Sequence, residues 1–65
     1  MELERLRRKH GFTQADVGKS LGVQQSTVAM WENGQNMPRA DKLPLLAKLY
    51  GCSIDDLFKT SEQKG

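Results

Sequence analysis

The 65-residue sequence holds one cysteine, one histidine, two prolines and one tryptophan. Each scarcity excludes something. Cys52 is alone, so no intrachain disulfide can staple a chain of a size that supports one domain and a small core. Its expected role is that of a small, mostly buried apolar residue, and a single free thiol suits the cytoplasm. No apolar run approaches the roughly 20 residues of a membrane span, so no membrane partner is expected. The opening "MELERLRRKHG" is amphipathic and lacks the apolar centre of a signal peptide. His10 has no second histidine, and Cys52 lies far along the chain, so neither a metal site nor a cofactor is expected. Asp55 and Asp56 are neighbours in sequence and point to different sides of a helix, so they cannot form a facing catalytic pair. No nucleophile, base and orienting group come together, and the chain is not expected to be an enzyme. Strand alternation and internal repeats are also missing.

What is present is helical. The balance of 10 basic to 8 acidic residues gives a mild net charge of +2, but Arg5, Arg7, Arg8 and Lys9 crowd the first helix, followed by Lys19, Arg39, Lys42 and Lys48. On charge alone a solvated surface explains this equally well. Residues 2–9 read as a helix, with Leu3, Leu6 and His10 on one stripe and Gly11 as its stop. "TQAD" places Asp16 three residues after Thr13, the pattern of a capping box, and opens a second helix with Ala15, Val17 and Leu21 on its inner side. Gly22 interrupts. A third helix runs from about Gln24 to Glu32 or Asn33 and ends at the turn formers "NGQNMP". Pro44 must lie in the first turn of a fourth helix covering roughly Lys42 to Tyr50, with Leu45, Leu46 and Leu49 facing inward. "SIDD" is a second capping box and opens a short fifth helix that buries Ile54, Leu57 and Phe58. Residues 1–58 form the domain, and 59–65, "KTSEQKG", read as a loose polar tail.

The third helix raises a question. At about 100° per residue, Gln24, Val28 and Trp31 fall in one arc, while Gln25, Ser26, Ala29 and Met30 fall in the opposite one. Exposed helix faces are usually charged; this one is flat, short-chained and hydrogen-bonding. Such a face suits the major groove of duplex DNA, which just admits one helix. Glutamine can pair with adenine N6 and N7 there, and methionine or alanine can touch the thymine methyl. Gly18 and Gly22 sit where the second and third helices would cross closely, locked by Val17, Leu21, Val23, Val28 and Trp31. This is a helix-turn-helix arrangement.

The segments "LRRKHGFTQADVGKSLGV", "STVAMWENGQNMP" and "LPLLAKLYGCSIDDLF" together resemble the Cro/phage-repressor-type, or XRE-like, helix-turn-helix family over about residues 3 to 58. The resemblance implies an all-α, five-helix lambda-repressor-like domain with the helix-turn-helix formed by helices 2 and 3. It also implies roles by position. Gln14 matches a phosphate-binding glutamine, and Gln25 and Ser26 match base-reading positions. Thr27 matches a phosphate contact, Met30 a base or methyl contact, and Asn33 a backbone contact. Arg39 lies where a phosphate-binding arginine is common. Arg7 and Glu32 match a salt bridge between the first helix and the end of the third. Two departures stand out. Gln24 occupies a position often held by serine or threonine, caps poorly, and is free to reach the DNA instead. The reading face has no arginine, so A·T pairs are expected under Gln25 and Met30.

The function expected is a sequence-specific transcriptional regulator of double-stranded DNA. The form expected is a repressor, pairing as a homodimer around Arg39 and Phe58 that is weak without DNA, on an inverted-repeat operator. The alternative is an antitoxin or other protein-interaction module on the same fold. No small-molecule ligand is expected.

Overall fold

The computed structural model describes residues 2–58; the expected tail lies outside them. Among the described residues there are five helices and no strand: α1 (Leu3–Lys9), α2 (Gln14–Leu21), α3 (Gln25–Asn33), α4 (Leu43–Leu49) and α5 (Ile54–Phe58). None is long and apolar enough to cross a membrane.

Local chemistry sets the helix starts. Thr13 Oγ1 accepts from the Asp16 amide at 3.0 Å, and Asp16 Oδ2 accepts from the Thr13 amide at 2.9 Å, the reciprocal closure of a capping box. These bonds to Thr13 hold the Asp16 carboxyl below its usual range. Ser53 and Asp56 repeat the device at α5, both bonds at 3.1 Å. Pro44 falls in the first turn of α4. Between α2 and α3 the chain reverses at Gly22, whose φ of 74° lies in the left-handed region that side chains disfavour. The Val23 amide then donates to the Gly18 carbonyl at 2.9 Å. A Cβ on Gly18 would stand 2.7 Å from the Val23 carbonyl oxygen, so the tight turn requires glycine there for close approach rather than for conformation.

The core gathers Leu3, Val17, Leu21, Val28, Trp31, Leu46, Ala47, Tyr50 and Leu57, with Leu6, Phe12, Val23, Leu43, Leu49 and Cys52 packed against it. Burying each large apolar side chain contributes about 1.5–3 kcal/mol. Side-chain bonds tie distant segments. Lys42 Nζ donates to the Leu21 carbonyl at 3.1 Å, satisfying the end of α2. His10 Nε2 lies 2.9 Å from the Tyr50 carbonyl oxygen; a carbonyl only accepts, so this nitrogen carries the proton. The His10 ring also stacks against Phe12 and Tyr50.

Several side chains expected inside are not. Ala15 is exposed, because it lies about 200° around α2 from Val17. Leu45 is 46% exposed, one residue off the buried Leu46, and lines an open groove with Ser20, Leu21, Lys48 and Leu49. Ile54 and Phe58 are 39% and 43% exposed. They share a face of α5, and that short helix turns only Leu57 fully inward.

Candidate nucleic-acid interface

The outward side of α3 begins outside the helix. Gln24 is its N-cap, with extended backbone (φ −79°, ψ 156°) and no side-chain capping bond. It is exposed and does not share the inward arc of Val28 and Trp31, since helical periodicity does not reach a residue with strand-like backbone. Gln25 and Ser26 follow, both exposed, and Thr27, Ala29 and Met30 are half-buried. The first turn of α3 has no acidic residue and the last no basic one.

The one ionic side chain of α3, Glu32, is withdrawn from this face. Its Oε2 accepts from Arg7 Nε at 2.6 Å and its Oε1 from Arg7 Nη2 at 3.1 Å, a fork-to-carboxylate pair. The side chains are only 11% and 5% exposed. Arg7 Nη1 also donates to the Phe12 carbonyl at 2.9 Å. The bond to Glu32 raises the arginine further above its ordinary value, against the opposing effect of burial. The expected pair is therefore present, and it joins α1 to the end of α3.

Two links extend from it to the surface. Gln14 Nε2, at the first turn of α2, donates to Glu32 Oε1 at 3.1 Å. Gln25 Nε2 reaches Gln14 Oε1 at 3.4 Å. The structure thus brings Gln14 and Gln25 together and leaves Gln14 one free N–H. At the other end of α3, the exposed Asn33 accepts from the Gln35 amide through Oδ1 at 3.1 Å, where Gly34 takes φ 85°. Asn36 Nδ2 lies 3.5 Å from Met30 Sδ. Arg39 is exposed between α3 and α4.

Sequence reasoning missed the bond from Gln14 to Glu32, the contact of Asn36 with the Met30 sulfur, and the cap that Lys42 places on α2. A contact between polar side chains 18 residues apart, on different helices, leaves no periodic trace. Lys42 alone had a signal, as a cation available to a helix end. Burial pushes the Cys52 thiol up, helped by the charge of Asp56, which disfavours the reactive thiolate. Among the described residues no three His, Cys, Asp or Glu side chains are grouped to hold a metal ion.

A family model described as Helix-turn-helix matches residues 3–57. An uncharacterized HTH-type transcriptional regulator of Methanocaldococcus jannaschii is 35% identical over 57 residues, covering 88% of this chain and 86% of that protein. Repressor protein C2 of Salmonella phage P22 is 36% identical over 53 residues, 82% of this chain and 24% of the repressor. The HTH-type transcriptional activator BcrR of Enterococcus faecalis is 28% identical over 61 residues, 94% of this chain and 30% of the activator. The chain therefore spans most of the first relative and less than a third of the other two. No solved structure gives a significant match. With its α2–α3 pair crossing at Gly18 and a family match over nearly its whole length, the chain belongs to the Cro/phage-repressor-type helix-turn-helix family, whose members are DNA-binding regulators of transcription and not enzymes.

Proposed function

We propose that the chain is a sequence-specific repressor that places α3 in the major groove and binds an inverted-repeat operator as a homodimer. The observation that carries this reading is the uncharged outward face of α3, with Glu32 drawn back to Arg7. A carboxylate on that face would be repelled by phosphate; its removal leaves Gln25, Ser26 and Met30 as base-reading groups. Gln14, Thr27, Asn33 and Arg39 set the register through phosphate contacts, and Gln24, uncapped at the start of α3, reaches the DNA beside them. One small domain buries little surface on DNA and binds weakly alone. Pairing uses the region of Arg39 and the half-exposed Phe58 and is completed on two half-sites about one helical turn apart. Occupying a promoter then excludes polymerase, in the cytoplasm.

The test is selection of sites from a random duplex pool at ~150 mM salt, where non-specific binding is weak. The expected result is an inverted repeat with A·T pairs under Gln25 and Met30. Arg39→Ala should then weaken binding to all sequences alike and lower the salt slope by about one. Salt-sensitive binding with no enriched sequence would sink the repressor reading and leave a protein partner, such as a toxin, as the target of the fold.

A further inference from the structure

The chain leaving α3 folds back onto Met30. The Met30 carbonyl accepts from the Gln35 amide at 3.0 Å and from the Asn36 amide at 3.3 Å. Asn33 Oδ1 holds the Gln35 amide as well, at 3.1 Å, and Gly34 allows the reversal with φ 85°. These bonds bring Asn36 beside the Met30 side chain, where its Nδ2 lies 3.5 Å from the sulfur. A thioether only accepts, so the nitrogen end of the amide faces it. An N–H···S bond is weak by itself. Here the backbone bonds place the donor, and the side-chain bond has only to hold what they bring together.

We propose that Asn36 is a positioning residue for Met30, holding its thioether so that the terminal methyl meets the C5-methyl of a thymine. The proposal rests on α3 being the major-groove helix. Methionine is unbranched and soft, and left alone it adapts to whatever surface it meets. Such a side chain covers any base edge and selects poorly among them. Ordering it on binding also costs rotamer entropy. Met30 is half-buried and Asn36 exposed, so the hold acts at the outer end of the side chain, where that freedom lies. A donor on the sulfur restricts the C–S torsion that swings the methyl. In the major groove A·T presents a methyl that G·C lacks. A methyl held in place therefore reads thymine, whereas a loose one only covers it.

Uracil differs from thymine by that methyl alone, so duplexes with A·T or A·U at the pair under Met30 isolate the contact. The unmodified chain should bind A·T about fourfold more tightly, the effect of one apolar group taken from water. Asn36→Ala should bring that ratio close to one while preferences at the other pairs stand. So should Asn36→Asp, which is nearly the same shape but whose carboxylate cannot donate. In Met30→Leu, with no sulfur to hold, adding Asn36→Ala should leave the ratio unchanged. Relaxation of the carbon-13-labelled Met30 methyl, assigned by its loss in Met30→Leu, should show it ordered in the free chain and more mobile in Asn36→Ala. Far-UV circular dichroism verifies that each variant folds. If the Asn36 variants weaken both duplexes alike and keep the thymine preference, the hold is overturned and Asn36 only touches the DNA itself; the DNA-reading role of α3 survives. If the unmodified chain discriminates other pairs but binds A·T and A·U equally here, the proposal is overturned and α3 keeps its role. If it shows no preference at any pair, that role fails, and the proposal with it.

Discussion

Arg7 and Glu32 stand 25 residues apart in sequence and meet through two hydrogen bonds, the shorter at 2.6 Å. Arg7 is the buried charged residue among those described, so the pair fixes the end of α3 against α1 with both charges largely withdrawn from water.

Removing one partner leaves the other charge buried and unpaired. Glu32→Ala should cost about 3–5 kcal/mol, a large part of the 5–15 kcal/mol typical of a domain. Replacing both, as Arg7→Met/Glu32→Leu, should recover much of that loss. Urea unfolding of the single and double variants checks this. A single-variant cost below about 1 kcal/mol would show the pair behaving as a solvated one.

Gly18 and Gly22 should fail differently. Alanine at 18 drives a Cβ into the Val23 carbonyl and must spread α2 from α3, at about 1–3 kcal/mol. Alanine at 22 meets nothing within 4 Å and costs only the left-handed conformation, about 1–2 kcal/mol. DNA affinity per folded molecule should drop for Gly18→Ala and hold for Gly22→Ala. Thermal melts paired with binding titrations separate the two, and equal losses of affinity would count against a crossing set at Gly18.

Gln24 leaves the start of α3 without a side-chain cap. Gln24→Ser should supply one and stabilise the fold by about 0.5–1 kcal/mol. If Gln24 contacts DNA as proposed, the same variant should bind its operator more weakly. Stability and affinity would then move in opposite directions; affinity that rises or stays level removes Gln24 from the interface.

Alkaline pH should destabilise the domain through Tyr50. Burial, with a further push from Glu32, raises its hydroxyl to about 12, against about 10 in an unfolded chain. A raised folded value means the stabilisation is whole below pH ~10 and is lost as pH climbs toward 12. Circular dichroism across this range should show that loss, and Tyr50→Phe should flatten it.

The helix starts were legible because their causes are local. Thr13 with Asp16, Ser53 with Asp56, and Pro44 each act within four residues, and the structure has each in place. The pairing of Arg7 with Glu32 came from family resemblance, since nothing in the spacing of residues 7 and 32 announces it. What misled was the assumption that every large apolar residue on a short helix turns inward. Leu45, Ile54 and Phe58 lie on helices of seven and five residues, which offer the core one narrow stripe and leave neighbouring apolar side chains outside. The link from Gln14 to Glu32 was invisible because it depends on how α2 is turned against α3, a property of the packed pair.

The Glu2 amide donates to the Leu57 carbonyl at 3.0 Å, so the polypeptide starts and finishes its path through the domain at one place. A unit closed in this way is nearly a ring. It can be set within a longer polypeptide with both connections leaving from a single point, and the distance the chain must bridge at that point is already spanned by one hydrogen bond.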